Sequence, residues 1–360
     1  MYNVLNYNKC FYIVIGQHYQ HYGYNNTIYH HQMTERLFDR IALNDSSLTF
    51  LDLTRTKLTA LEWKRLHVLS YNNNIETIWI NNQAFFNDTA AIMFLDFLKK
   101  HASVRVLRLD GNQLTSRVIN TLNGCIKTLP HLQILSLDNN NLGNSGLELL
   151  CEGLENNVTI TKLFLHNNNF GDVGAVALGL MLKTNTTLQV LDVSENNIGD
   201  MGTCILAKVI KTNKSMIYFN INNNTFGEAG SMALCDMLHE NRTLRAFYMA
   251  HNSTGDTLAI RLVNARNTTL EEIDLANNSL TDYGVSKLVK VIPSWNLRSL
   301  VLLDNKFSDA GAQLLYNMAM QQPVNCLVSN ISPPMQQAFD ELMASKLIDW
   351  NPHQFTKKVY

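Results

Sequence analysis

Ile160-Thr161-Lys162-Leu163-Phe164-Leu165-His166-Asn167-Asn168-Asn169-Phe170 is the stretch whose reading decides the fold. Leu163 and Leu165 alternate with Lys162, Phe164 and His166, a period of two that predicts a short strand with the leucines turned inward. Asn168 ends the strand, and Phe170 returns the chain to the core. The same text, L-x-x-L-x-L-x-x-N-x-L, starts at Leu48, Ile75, Val104, Leu132, Ile160, Leu188, Met216, Leu244, Leu270 and Leu297, at intervals of 26 to 29 residues. A unit that short cannot bury its own apolar face, so the copies must stack, and the chain is a solenoid.

The counterparts of Asn168 are Asn112, Asn140, Asn196, Asn224, Asn252, Asn278 and Asn305. An amide both donates and accepts, so a column of them can satisfy backbone groups where the chain turns beneath the strands. Thr56 and Gln83 occupy this position in the first two copies and weaken the N-terminal end of the column. After each strand the pattern changes: Gly171, Asp172 and Gly174 precede Ala177, Leu178, Met181 and Leu182, whose spacing of three and four predicts a helix. Asp172, Asp200, Asp282 and Asp309 are expected to be helix N-caps. Gly143, Gly199, Gly227 and Gly255 share one loop position, where a tight strand-to-helix turn asks for backbone freedom.

Strand, turn and full helix within about 28 residues resemble the ribonuclease-inhibitor type of leucine-rich repeat, as in Asn140-Asn141-Leu142-Gly143-Asn144-Ser145-Gly146 and Asn196-Asn197-Ile198-Gly199-Asp200-Met201-Gly202. The resemblance implies an α/β horseshoe with a concave parallel β-sheet, convex α-helices, and binding on the concave side or the rims. The expected organisation is a leader and capping helix over 1–47, the repeat array over 48–322, and a C-terminal cap and tail over 323–360. The leader is rich in Tyr, Asn and His and is expected to be irregular, although His18 and His21 could share a helical face. Thr34 to Leu43 reads as an amphipathic helix covering the first repeat. Pro333 and Pro334 open a second capping helix reaching about Leu347.

Composition narrows the function. A net charge of −1 over 360 residues exerts no general pull on nucleic acid or anionic membrane. No apolar span is long enough to cross a membrane, and the apolar stretch 10–16 makes a poor signal peptide, so the expected compartment is cytoplasmic. The six cysteines have no metal-like spacing and read as buried thiols. Sequons at Asn157, Asn185, Asn213, Asn241 and Asn267 read as by-products of the repeated helix-to-strand loop. There is no nucleophile elbow, phosphate loop or H-E-x-x-H, so no catalytic residue, metal or cofactor is expected. Asp138 beside His166 reads as a solvated neighbour pair.

What varies from copy to copy is the outward row of the strands: Asp52, Trp79, Arg108, Ser136, Phe164, Asp192, Asn220, Tyr248, Asp274 and Val301, with a second row containing Lys162, Tyr218 and Glu272. Aromatics exposed there would have no duty in the scaffold and fit a partner surface. The expected contact residues are Trp79, Arg108, Phe164, His166, Asp192, Tyr218, Tyr248, His251 and Asp274. Acids on this face, among them Asp110, Asp138, Glu195 and Asp304, outnumber Arg55, Arg108 and Lys162, and would steer a protein partner with a basic patch. The same balance argues against nucleic acid. The expected function is a monomeric, non-catalytic interaction scaffold: an inhibitor, an adaptor, or a bacterial effector delivered into a host cell. The alternative is a GTPase activator, because the Ran GTPase activator family resembles this architecture. That family ends in a long acidic tail, whereas this chain ends in Lys357-Lys358-Val359-Tyr360.

Overall fold

A computed structural model describes residues 13–14, 36–54, 58–82, 87–252, 254–263 and 267–346. Its contacts group into two compact units, residues 1–168 and 169–360. The leader histidines, Arg55, Thr56, Gln83, Cys10 and the final tail, for which the sequence raised expectations, lie outside the described residues.

In the first unit, strands β1 (Ile13–Val14), β2 (Phe50–Asp52), β3 (Thr77–Trp79), β4 (Val106–Arg108), β5 (Ile134–Ser136) and β6 (Lys162–Phe164) pair in sequence order, all parallel. Helix α1 covers described residues 36–42. It is followed by α2 (Ala60–Arg65), α3 (Asp88–Leu98), α4 (Ile119–Thr128) and α5 (Gly143–Leu154). Leu37, Phe38 and Ile41 of α1 are buried. β1 lies in the leader, where no repeat text announced a strand, and it pairs with the first repeat.

The second unit repeats the plan. Helices α6 (Asp172–Thr184), α7 (Asp200–Ile210), α8 (Glu228–Glu240), α9 (Gly255–Leu262), α10 (Asp282–Val291), α11 (Asp309–Gln321) and α12 (Pro333–Ser345) alternate with parallel strands β7 (Val190–Asp192), β8 (Tyr218–Asn220), β9 (Ala246–Tyr248), β10 (Glu272–Asp274), β11 (Ser299–Val301) and β12 (Asn325–Leu327). α12 closes the array where the double proline predicted it. From α12's last turn, Lys346 donates to the carbonyls of Ala319, Gln322 and Val324 at the end of α11 and just beyond it. A cation placed there satisfies acceptors that a helix C-terminus leaves open.

The inward leucines are fully buried: Leu135 and Leu163 in the first unit, Leu191 and Leu300 in the second. Each stabilises the fold by roughly 1.5–3 kcal/mol. The asparagine column forms as expected. Asn140 Nδ2 donates to the carbonyls of Leu109 (3.0 Å) and Leu137 (2.8 Å), while its Oδ1 accepts from the N–H groups of Asn112 and Leu114. Asn224 does the same in the second unit, donating to Val193 and Ile221 and accepting from Ile198. The residue before each column asparagine is left-handed, whether Gly111 (φ 67°), Asn139 (55°), Glu195 (52°), Asn223 (52°) or His251 (59°).

The sequons form a second column. Asn241 Oδ1 accepts from the N–H groups of Thr243 and Leu244, and its Nδ2 donates to Ile210 O at 2.7 Å. Asn185, Asn241 and Asn267 are buried, so their amides are occupied by the scaffold. These sites are therefore more than a by-product of the repeat: the Asn-x-Ser/Thr text is the bonding pattern of the helix-to-strand loop. In the first unit Asn72 and Asn157 accept from the following loop N–H groups in the same way, but His101 takes this place in a repeat between them. It is fully buried, its Nδ1 is 3.3 Å from Ser103 Oγ, and its Nε2 has no hydrogen-bond partner among the described residues.

Two local expectations are corrected. The expected N-cap aspartates are instead the first helical residues, capped by Gly171, Gly199, Thr281 and Ser308. Their carboxylates reach the next repeat, as when Asp172 Oδ1 accepts from the N–H groups of Gly199 (2.7 Å) and Gly202 (2.9 Å). Gly143 and Gly255 do adopt positive φ (63° and 61°), but Gly199 and Gly227 do not, at −91° and −106°.

Candidate functional site

The expected contact residues fall on both units, and their exposure is not uniform. In the first unit, parallel register sets Trp79 beside Arg108, then Ser136, then Phe164. The Arg108 guanidinium lies over the Trp79 indole at 5.2 Å, and Phe50 meets the same indole edge-on at 4.8 Å. Strand spacing of about 4.8 Å makes such stacking natural in a parallel ladder. Trp79 and Arg108 are half-buried. The indole Nε1 is buried and makes no hydrogen bond among the described residues.

Charged groups surround this pair. Burial raises the Asp110 pKa, opposed by a 2.6 Å hydrogen bond from the Ser136 hydroxyl and by the Arg108 charge. Burial, and then the Arg108 charge, lower the pKa of Lys162. The Asp138–His166 pair exists through the backbone, with the His166 N–H donating to Asp138 Oδ1 at 2.8 Å. His166 is half-buried.

Four residues expected to be exposed are not: Phe164 is 0% exposed, Tyr218 1%, Asp192 2% and Tyr248 7%. In the second unit the cause is visible. The Tyr218 and Tyr248 rings meet at a tilt of 49° with their centroids 5.2 Å apart, and the Tyr248 hydroxyl donates to the buried Glu272 carboxylate. Burial and the Glu272 charge push the Tyr248 pKa upward. Asp192 accepts from the Ser194 N–H (2.9 Å) and hydroxyl (2.5 Å) and from Asn220 Nδ2 (2.9 Å). Large side chains in register cover one another, and the buried acids are already hydrogen-bonded, which weakens the expected acidic steering. Asp274 is half-buried and accepts from the Ala276 N–H. His251 is exposed, and its Nδ1 is 2.7 Å from Asn277 Nδ2.

Cys125, Cys235 and Cys326 are buried, and their pKa values are pushed up to about 12 by burial. Such thiols stay protonated and are poor nucleophiles. Among the described residues no cluster of three or more His, Cys, Asp or Glu is placed to hold a metal ion, and no helix is long and apolar enough to cross a membrane.

One arrangement escaped the sequence reading. On the helix-to-strand edge of the second unit, a cleft of about 400 Å³ is lined by Lys214, Arg242, Arg245, Thr268 and Glu271, among others. Its cations come from different repeats, so no local motif marks them. The available signal was their recurrence at matching repeat positions, Lys214 with Arg242 and Arg245 with Arg298.

Parallel strands, helices and two asparagine columns define an α/β solenoid. The leucine-rich repeat family model matches residues 128–151, 156–179, 184–202 and 266–289. Those four stretches are leucine-rich repeats, and the fold is an α/β solenoid of the leucine-rich-repeat kind. An internalin from Listeria monocytogenes is similar in structure at 17% identity, with a TM-score of 0.49, covering 89% of this chain and 94% of the internalin. A plant ice-binding protein is similar at 13% identity, with a TM-score of 0.45, covering 79% and 88%. No curated protein matches the chain in sequence.

Proposed function

We propose that this chain is a non-catalytic protein-binding module of the ribonuclease-inhibitor type, acting as an inhibitor, adaptor or delivered effector through the outward face of its strands. The observation that carries the reading is the Trp79–Arg108 pair. It joins the two residue types most enriched at binding hot spots on a half-buried strand surface, with the indole donor unpaired. Around it the scaffold positions repeat faithfully, while the outward positions change from repeat to repeat.

The contact set is narrowed by burial. Trp79, Arg108, His166, His251 and Asp274 present accessible surface, whereas Phe164, Asp192, Tyr218 and Tyr248 are buried. The acids that reach solvent, Glu195, Asp274 and Asp304, favour a partner with a basic patch, mainly through its association rate.

The test is affinity capture with the intact chain beside a Trp79→Ala/Arg108→Ala variant of unchanged thermal stability. A partner held by the first and lost by the second supports the reading. Equal recovery by both overturns it.

A further inference from the structure

We infer that the basic cleft on the second unit is a separate binding site for an acidic peptide segment, one that presents carboxylate or phosphate side chains. This goes beyond the strand-face reading and rests on different residues. Lys214, Arg242 and Arg245 line the cleft, and Arg298 stands beside it. A single carboxylate, Glu271, opposes these four cations.

Glu271 is placed to orient them. Its side chain is 14% exposed, against 57% for Arg245 and 63% for Arg298. It holds Arg245 at 2.6 Å and Arg298 at 3.6 Å. Backbone hydrogen bonds from Glu271 to Arg245 and from Arg298 to Glu271 align the three residues, each immediately before one of the adjacent strands β9, β10 and β11. The carboxylate thus lies beneath two guanidinium groups whose outer edges face solvent. Arg242 is anchored by its Nη1 on Asn241 O at 2.9 Å, and Lys214 and Thr268 are exposed.

One half-buried negative charge holding two more exposed guanidinium groups is an arrangement that receives an anion, because orienting the arginines beforehand reduces the entropy lost on binding. The volume is at the low end for ligand sites and suits one or two side chains of a peptide better than a whole cofactor. Clusters of arginine commonly read acidic and phosphorylated peptides in this way. The local excess of positive charge stands out in a chain whose net charge is −1.

The experiment is fluorescence anisotropy with the full chain and three labelled octapeptides of equal length: one alternating Glu and Gly, one with two of its glutamates replaced by phosphoserine, and one with Gln for every Glu. Both acidic peptides should bind at least tenfold more tightly than the neutral one, and weaken as salt is added. A stronger phosphoserine arm assigns the site to phosphate; equal arms assign it to carboxylate. Lys214→Glu/Arg242→Glu, at exposed loop positions, should abolish this preference without changing the melting temperature. Glu271→Gln, which removes the charge that orients Arg245 and Arg298, should weaken acidic-peptide binding about threefold without changing the melting temperature. The proposal is overturned by equal affinity for acidic and neutral peptides, by undiminished binding to the charge-reversed variant, or by RNA displacing the peptides from the same residues. None of these outcomes depends on Trp79 or Arg108.

Discussion

On β3 and β4 of the first unit an indole and a guanidinium face one another, with Lys162 further along the same sheet. On β7 to β11 of the second, the outward positions hold Asp192, Tyr218, Asn220, Tyr248, Glu272 and Asp274 among small and aliphatic residues, and no lysine or arginine. Beneath these faces the two units are built alike, with buried leucines, an asparagine column and parallel three-residue strands. The contrast teaches that in a stacked repeat the positions carrying stability are decoupled from those carrying recognition. The second unit instead places its cations on another edge, around Glu271.

That decoupling can be broken most directly through the column. Asn140→Ala and Asn224→Ala should each destabilise the protein by about 3 kcal/mol, because each strands buried backbone donors and acceptors together. Urea unfolding of both variants checks this. Similar losses mean that the two units share one scaffold logic, whereas a loss confined to one unit would break the comparison.

His101 should give the units different acid sensitivity. Burial lowers its pKa to about 4 from the ordinary 6.5. Between these values the unfolded chain binds a proton that the folded chain excludes. Stability from this group is therefore complete above about pH 6.5 and falls as pH drops toward 4, by up to about 3 kcal/mol. His101→Asn should remove that dependence and add about 1 kcal/mol at neutral pH by restoring the loop column that Asn241 forms in the second unit. Unfolding midpoints at pH 4.5 and 7.5 check both effects, and an unchanged pH profile would contradict the assignment.

The smallest effect should come from His251, a bulky residue held at φ 59°. His251→Asn should stabilise by about 0.5–1 kcal/mol, since asparagine tolerates the left-handed region better. If His251 contacts the partner, the same change should weaken binding while raising the melting temperature. A gain in both would remove His251 from the contact set.

Much of this scaffold was legible because it repeats. The period named the solenoid, alternation set which strand residues turn inward, and the double proline marked α12. Phe164, Tyr218 and Tyr248 show where legibility stopped. Alternation gives a side chain's direction but not the size of its neighbours, and in register across a parallel sheet large neighbours cover one another. Asp172 was misplaced for a related reason: a helix-start aspartate reads as a local cap, while its carboxylate bonds the following repeat. The cleft around Glu271 was missed because its residues lie in loops about one repeat apart, so the recurrence of Lys214 with Arg242 and of Arg245 with Arg298 shows only when whole repeats are aligned.

The central claim is that the partner is recognised on the outward strand face. Its most direct test is hydrogen–deuterium exchange of the full chain, free and bound to the partner captured by the wild type but not by Trp79→Ala/Arg108→Ala. The account predicts new protection in β3 and β4 and the turns that follow them, with the helices unchanged. Protection confined to the helices would contradict it.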